Sequence, residues 1–236
     1  MHTRRASDTH NTHTHYVPSG SLSERMKDEL MRLDFDIHHI SVMSRRSKLH
    51  HGMVRLVIST LATPEEIENL VKKDVRKNRT GRMYSVKLTS AGKSRMAFID
   101  DRTHRILMEL CEGKRGREKI FPFSKEEMDS IVGMYSPPGR SYGVERLRKA
   151  VISILRDCSI FGEDFVSNIV EGREADRVAD FLEDFHPFFS GMWDLEDEEV
   201  AKDFLKVYSE VTGKGVREIA ERVMESEERV RKLLDS

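Results

Sequence analysis

The chain has 236 residues, a formal net charge of -1, and a composition that is 38% hydrophobic and 34% charged. These values are typical of a helix-rich globular protein with one large or two small domains. No apolar run approaches the roughly 18 residues of a membrane span, and Cys111 and Cys158 form neither a disulfide framework nor a zinc motif. We therefore expect a cytoplasmic protein without membrane contact, metal site or cofactor.

The charge is unevenly divided along the chain. Residues 1–150 contain 29 Lys and Arg against 19 Asp and Glu, whereas residues 151–236 contain 11 against 22. A basic part of this kind is typical of a protein that binds a polyanion, although chance clustering of solvated helix faces produces the same numbers. We predict double-stranded DNA as the partner of the basic part.

The first segment, residues 1–21, is polar and has no periodic apolar pattern, so we expect a disordered tail. It contains four of the ten histidines. Because such a tract has no ordered second shell to orient metal ligands, we expect no specific metal site there. The four histidines are His2, His10, His13 and His15.

The pattern becomes helical from Ser21, and a second short apolar patch follows at residues 37–43. A buried helix is predicted over residues 53–61. The next segment, Thr63-Pro64-Glu65-Glu66, is typical of a helix N-terminus, with Pro in the first helical position and acids in the first turn. This helix is predicted to run through Val71.

A basic stretch and a predicted hairpin follow. Residues 72–82 contain six cations against Asp74 alone and little aromatic interleaving, which predicts phosphate contact rather than base stacking. Alternating residues predict strands at 83–88 and 93–99, joined by a turn at 90–92. The predicted DNA-binding side chains of this part are Lys72, Lys73, Arg76, Lys77, Arg79, Arg82, Lys87 and Lys93.

Two helices with N-caps precede a longer helix pair. Asp100 or Asp101 is predicted to cap a helix through Leu110, and Ser124 a helix through Val132. Residues 142–173 then carry an amphipathic helix, a turn at Phe161-Gly162, and a second helix that Gly172 ends. The first helix of this pair opens with the cations that complete the predicted DNA-binding set, Arg146, Arg148 and Lys149.

The C-terminal segment, residues 191–236, is acidic and helical in pattern. The apolar spacing within residues 216–234 fits a helix-turn-helix unit. Met224 occupies the position where the turn of such a unit usually has Gly, so one continuous terminal helix with a heptad-like stripe is the favoured interpretation. In either form these helices offer a surface through which a homo-oligomer could assemble.

The helix pair carries a resemblance to a known family. Leu147-Arg148-Lys149, the apolar helix, the loop and Glu171-Gly172-Arg173, together with the preceding residues 120–124, resemble the core of tyrosine recombinases, especially archaeal-type integrases. The resemblance covers roughly residues 25–185. It implies a mainly α fold with a small antiparallel sheet at about 83–99, in a recombinase-like catalytic domain over residues 22–190 with a C-terminal helical extension.

The resemblance also implies a set of catalytic positions, and several of them are altered. Members of the family cut DNA through a tyrosine phosphoester, and two arginines and a lysine or histidine stabilise the charged phosphorane. The first arginine position matches Thr63, near Glu66 at the position of the family's acid, and the histidine of the His-x-x-Arg motif matches Glu145. The segment where the nucleophile is expected contains Phe181 and Leu182.

Three functional interpretations remain open. The first is an integrase-like protein that binds DNA as a regulator or architectural factor without cutting it, because most of the catalytic groups are missing. The second is an active, divergent site-specific recombinase; its catalytic residues would be Arg148, Arg173, Lys93 and Tyr208, with Lys87 as the alternative strand lysine. The third is a protein-interaction module that docks through its acidic C-terminal half.

Overall fold

A computed structural model describes residues 24–77, 84–158, 163–173, 213–223 and 225–236. Between residues 173 and 213 it describes residues 178, 182, 198, 201, 202, 205, 206, 209 and 210. The described chain is mostly helical and contains a three-stranded antiparallel sheet. This confirms the predicted mainly α architecture with a small sheet.

The first three helices are α1 (Glu24–Ser44), α2 (Lys48–Thr60) and α3 (Pro64–Asn69). Residues 37–43, which the sequence pattern set apart as a second patch, continue α1, because neither Gly nor Pro interrupts the helix before Ser44. The buried helix predicted at 53–61 is α2, which begins five residues earlier after its N-cap Ser47. The predicted start of α3 is confirmed, and this helix ends two residues before the predicted Val71.

The α2–α3 turn is fixed by two local features. Leu61 adopts a left-handed conformation, with φ 56° and ψ 35°, and its amide donates to the carbonyl of Val57. Thr63 then forms a capping box with Glu66: Thr63 Oγ1 accepts from the Glu66 amide at 3.3 Å, and Glu66 Oε2 accepts from the Thr63 amide at 2.9 Å. Reciprocal capping of this kind satisfies two donors at the start of the helix.

The sheet consists of β1 (Val75–Lys77), β2 (Tyr84–Ser90) and β3 (Lys93–Ile99) in the order β1-β2-β3. Its hairpin closes at Ser90 and Lys93 around the two-residue turn Ala91-Gly92. The predicted hairpin is therefore confirmed. The sequence pattern did not predict β1, since its three residues lie within the cationic stretch and only Val75 is apolar, paired with Val86.

Four helices complete the first part of the chain, α4 (Asp101–Leu110), α5 (Lys125–Met134), α6 (Val144–Cys158) and α7 (Glu163–Glu171). Asp100, rather than Asp101, caps α4, and Ser124 caps α5, as predicted. Gly172 follows α7 with φ 68°, which confirms its predicted role as a C-cap. The turn predicted at residues 161–162 lies outside the described residues.

Two short helices end the chain, α8 (Val216–Val223) and α9 (Glu227–Asp235). Ser226 has an extended backbone and caps α9 by accepting from the Arg229 amide. The alternative of one continuous terminal helix is therefore wrong, because the cap interrupts the helical backbone. The domain boundary predicted at 190–191 stays a prediction.

The buried side chains form two clusters. The larger one joins α1 to α7 with the sheet, and includes Ile37, Leu56, Ile99 and Leu147. In the smaller one, Val42 of α1 packs with residues of the C-terminal part, namely Ala201, Leu205, Ile219, Ala220, Val230 and Leu233. Among the described residues, none of the helices is both long and apolar enough to cross a membrane.

Candidate functional site

The candidate site is built around the carbonyl of Leu61, in the α2–α3 turn. Arg148 Nε donates to this oxygen at 2.8 Å, and Arg95 Nη2 donates to it at 3.3 Å. Leu61 is fully buried and has a left-handed backbone, and its carbonyl oxygen is directed toward both guanidinium groups. A turn, a strand and a helix thus bring two arginines to one acceptor.

Arg95, on β3, is the most heavily bonded cation of the site. Its guanidinium forms a bidentate pair with Glu66, with Nε–Oε1 at 2.7 Å and Nη2–Oε2 at 2.9 Å. It also donates to the carbonyls of Thr60 at 3.0 Å and Ile169 at 3.2 Å. Both side chains of the pair are only 8% exposed. Arg95 therefore ties β3 to the α2–α3 turn and to α7.

Sequence reasoning did not identify Arg95. The signal that could have found it is the alternation of β3, since Arg95 lies two and four residues before the buried Ala97 and Ile99 on the same face of the strand. A cation on the inward face of a strand requires an acceptor. Glu66, noted at the position of the family's acid, is that acceptor.

Arg148, on α6, was predicted both as a catalytic and as a DNA-binding residue. Its side chain is 17% exposed, and besides the bond to Leu61 it pairs with Glu145 one turn earlier, Nη1–Oε2 at 3.5 Å. Glu145 thus places a carboxylate next to the guanidinium at the position where the family resemblance implies a histidine. The pair lowers the positive potential that this part of the site presents.

Arg173 lies at the end of α7, close to β3. Its guanidinium pairs with the neighbouring Glu171, and its side chain is 63% exposed. Gly172 packs so closely on β3 that an added Cβ would lie 3.0 Å from the carbonyl oxygen of Met96. Arg173 is therefore held beside the strand that carries Arg95, with its charge already matched by a carboxylate.

The other implied catalytic positions differ in what they supply. Thr63 uses its hydroxyl to cap α3. Leu182 is buried and shares a small pocket with Thr60, Met96, Gly172 and Arg173. Lys93 is exposed at the start of β3. Tyr208 and Phe181 lie outside the described residues.

The hairpin tip is held by α3. Glu65 accepts from the Ser90 hydroxyl at 2.6 Å and from the Ala91 amide at 2.8 Å. These two hydrogen bonds lower the pKa of the Glu65 carboxyl. The turn that precedes Lys93 is therefore fixed relative to the α2–α3 turn.

The predicted DNA-binding cations have different surroundings. Lys72 donates its ammonium to the carbonyls of Cys111 at 3.0 Å and Lys114 at 2.9 Å. Lys73, Arg76 and Lys149 are exposed, and Lys87 is half-buried. Arg146 is exposed, donates to the Ser141 carbonyl at 2.7 Å, and lies 4.7 Å above the Tyr142 ring. The side chains outside the description are Lys77, Arg79 and Arg82.

Metal binding has no support among the described residues, where His, Cys, Asp and Glu form no group of three that could hold an ion. His51 is instead a buried neutral imidazole, whose Nδ1 contacts the Ser44 hydroxyl at 2.9 Å. Burial, with the charges of Arg55, Arg45 and Arg102, lowers its pKa to about 3. The buried Arg55 bonds Asp100 at 2.5 Å and Thr103 at 2.9 Å, and so holds α4 against α2.

No protein-family model matches the chain. Among solved structures, the XerA recombinase is similar with a TM-score of 0.43 and 15% identity, over 82% of this chain and 65% of that one. The XerH site-specific recombinase, in a post-cleavage complex with its palindromic difH substrate, is similar with a TM-score of 0.42 and 14% identity, over 73% of this chain and 51% of that one. The chain thus spans less than two thirds of either recombinase, and TM-scores this low do not establish a shared fold.

A much closer similarity is found with an uncharacterized protein of Archaeoglobus fulgidus. The two are 43% identical over 211 residues, which cover 88% of this chain and 94% of that protein. Identity at this level extends through nearly the whole of both sequences. The chain therefore belongs to the same protein family as this uncharacterized archaeal protein.

Proposed function

We propose that this protein binds double-stranded DNA without cutting it, and acts as a regulator or an architectural factor. The observation that carries the proposal is that each arginine of the candidate site already has acceptors within the protein. Arg95 is paired with Glu66, Arg148 with Glu145, and Arg173 with Glu171. A site of this kind offers little uncompensated charge to a phosphate.

Strand cleavage requires more than this. Negative charge develops on the phosphate oxygens in the transition state, and each preorganised donor that is missing typically costs about a hundredfold or more in rate. Thr63 and Glu145 replace the cations that the family resemblance implies, so two such donors are missing. DNA binding does not need these two catalytic donors, because ordinary Lys and Arg contacts hold the phosphates without taking part in a reaction.

The basic side chains outside the site support binding. Lys73, Arg76, Lys93, Arg146 and Lys149 are exposed, and residues 1–150 contain ten more cations than anions. An excess of this kind attracts duplex DNA through release of its counterions. It equally raises the rate at which the protein encounters DNA.

The helix pair α8–α9 extends the proposal to a second contact. Ile219 and Ala220 of α8 and Val230 and Leu233 of α9 are buried against each other and against Val42, as in a helix-turn-helix unit. The outward face of α9 then carries the exposed Arg231 and Lys232, of which Lys232 forms a loose, exposed pair with Glu198 at 3.8 Å. We propose that this face contacts DNA. Alanine at both positions is expected to weaken DNA binding. Unchanged DNA binding would mean that the helices α8 and α9 have a packing role alone.

The principal test is fluorescence anisotropy of a labelled duplex across a salt series, with covalent capture on nicked suicide substrates scored in the same samples. We expect a steep loss of affinity with salt and no covalent adduct. An adduct that disappears in Tyr208→Phe would identify a working recombinase instead. Absence of binding at low salt would leave the third interpretation, a module that docks a protein through its acidic half.

A paired variant tests the observation that carries the proposal. Glu145→Gln removes the carboxylate beside Arg148 and is expected to raise DNA affinity several-fold, still without an adduct, because one repulsive charge near the phosphate is lost. Asp101→Asn is the control, since Asp101 forms an exposed pair with Arg105 on α4. Equal effects of the two variants would show that the candidate site does not face DNA.

A further inference from the structure

The loop that follows α4 folds back along the segment that precedes β1. The Lys72 amide donates to the Glu118 carbonyl at 3.2 Å, the Lys73 amide to the Gly116 carbonyl at 2.9 Å, and the Ile120 amide to the Leu70 carbonyl at 3.0 Å. Val71 and Lys119 form an antiparallel bridge. Two segments whose paired residues are 43 to 50 positions apart in the sequence are therefore joined through their backbones.

The Lys72 side chain reinforces this junction, and Asp74 stabilises the segment in which both residues lie. The Lys72 ammonium donates to the carbonyls of Cys111 and Lys114, where α4 ends and the loop begins. Gly113, with φ 72°, allows the chain to reverse there. Asp74 is buried and accepts from the Val71 amide at 3.4 Å. The acid of the segment is thus turned inward, and one of its cations is used to hold the loop.

The cations that remain point outward on both segments. Lys73, Arg76, Arg115 and Arg117 are exposed, and Lys114 is half-buried. None of the five pairs with a carboxylate in the described part of the chain, and the exposed acids of the loop are Glu112 and Glu118. We call these five residues the basic loop surface: Lys73, Arg76, Lys114, Arg115 and Arg117.

We propose that the basic loop surface is a binding site for the phosphate backbone of duplex DNA. The inference rests on the proposed function and deepens it, because three of the five residues, those of the loop, lie outside the cations predicted from the sequence. All five members are Lys or Arg, whose contacts with DNA go mainly to phosphate, so the surface offers positive charge for the backbone. It therefore binds DNA independently of sequence.

The sheet order separates this surface from the candidate site. Arg76 lies on β1 and Arg95 on β3, and β2 lies between them. Two strand spacings amount to about 10 Å, so the backbones that carry Arg76 and Arg95 lie at opposite edges of the sheet. The backbone junction also holds together the two segments that carry these side chains, so binding requires less ordering of the main chain.

The test compares two triple variants of the full chain by anisotropy across a salt series. Lys114→Ala with Arg115→Ala and Arg117→Ala is expected to reduce the slope of log affinity against log salt by about 2 to 3, since each lost phosphate contact removes about 0.9. The loss should be equal on unrelated duplex sequences. The charge-matched control, Arg46→Ala with Arg105→Ala and Lys125→Ala, should keep the wild-type slope. Both variants keep the loop's main-chain hydrogen bonds.

A second measurement keeps the proposal open to refutation if a variant folds poorly. Amine acetylation of the wild-type protein should become slower at Lys73 and Lys114 when duplex DNA is added, and remain unchanged at Lys125. If the DNA affinity of the wild type falls steeply with salt, but the loop variant keeps the same slope and DNA does not protect these lysines, the basic loop surface alone is overturned. A wild-type protein that binds no DNA would overturn the proposed function with it.

Discussion

At the residue scale, the buried pair between Arg95 and Glu66 holds the α2–α3 turn. Both side chains are almost completely buried, and the Arg95 guanidinium also donates hydrogen bonds to three backbone carbonyls. Breaking such a pair by removing one charge leaves the other charge buried without compensation. The stability of the α2–α3 turn therefore depends on both partners.

We expect Glu66→Gln to lower the free energy of unfolding by about 3–5 kcal/mol, the usual cost of breaking a buried pair from one side. Urea denaturation monitored by circular dichroism measures it. Glu221→Gln is the control, because its pair with Arg217 has side chains 77% and 69% exposed, and it should change stability by less than about 1 kcal/mol. A small effect of Glu66→Gln would mean that the carbonyls alone hold Arg95.

His51 gives the protein a pH dependence with a defined sign. Its pKa falls from 6.5 in a free side chain to about 3 in the folded protein, mainly through burial. Below pH 6.5 the His51 imidazole therefore binds a proton in the unfolded chain but not in the folded protein. The free energy of unfolding thus declines as the pH falls from 6.5 to about 3. Above 6.5 the contribution is fully present.

We expect the free energy of unfolding of His51→Gln to depend less on pH than that of the wild type. The difference in slope should approach about 1.4 kcal/mol per pH unit between the two pKa values, measured by urea denaturation at a series of pH values. His50→Gln provides the comparison, since the pKa of His50 is also lowered by burial but its side chain is only part-buried. Identical slopes for wild type and His51→Gln would contradict a neutral buried imidazole.

Residues were predictable from the sequence where their role is local. The caps at Thr63, Ser124 and Gly172 follow from short-range patterns, and the structure confirms them. Arg95 was missed because its partner lies 29 positions away, and a pairing over that separation leaves no periodic signal. The same holds for the carbonyl of Leu61, whose two donors come from β3 and α6.

At the element scale, the contact of α7 with β3 is set by Gly172. Its φ of 68° lies in the left-handed region, and a Cβ would approach the Met96 carbonyl, the Met96 amide and the Arg95 Cβ to between 3.0 and 3.1 Å. A side chain would have to push the end of α7 away from the strand that carries Arg95. The spacing between two elements is thus controlled by one missing side chain.

Gly172→Ala is therefore expected to destabilise the protein by more than the roughly 1–2 kcal/mol that a left-handed backbone costs a non-glycine residue. Gly213→Ala is a matched control, because Gly213 has φ 64° and no atom within 4 Å of the added Cβ. It should show the backbone cost alone. Thermal unfolding of the two variants measures the difference, and equal losses would show that α7 adjusts to the added methyl group.

Helices and strands were predictable from the sequence when they were long and amphipathic. They were less predictable when contacts with distant segments determine whether they form. The helices α2 and α6 and the hairpin of β2 and β3 were all expected. β1 was not, because three residues in a cationic stretch become a strand only by pairing with β2. The backbone junction between residues 70–73 and 116–120 has the same origin, which is why the cations of the loop were overlooked.

At the scale of the whole molecule, α1 connects the two parts of the chain. Ile37 and Ile40 are buried in the larger cluster, whereas Val42 is buried in the smaller cluster with α8 and α9. The basic part and the acidic C-terminal part therefore share one helix. Among the described residues, the acidic part contributes the smaller of the two clusters, so we expect its local stability to be lower than that of the larger core.

Leu233→Ala tests this division. The side chain is buried in the smaller cluster, and truncation of a buried leucine costs about 2–5 kcal/mol. We expect faster amide hydrogen exchange in α8 and α9 with little change in α2 and α6, measured by mass spectrometry under native conditions. Leu147→Ala, in the larger cluster, should instead accelerate exchange in all of these helices, because that cluster supports the whole fold. If Leu233→Ala accelerated exchange in α2 and α6 to the same extent as in α9, the two clusters would unfold as one unit, and α1 would transmit the loss from one to the other.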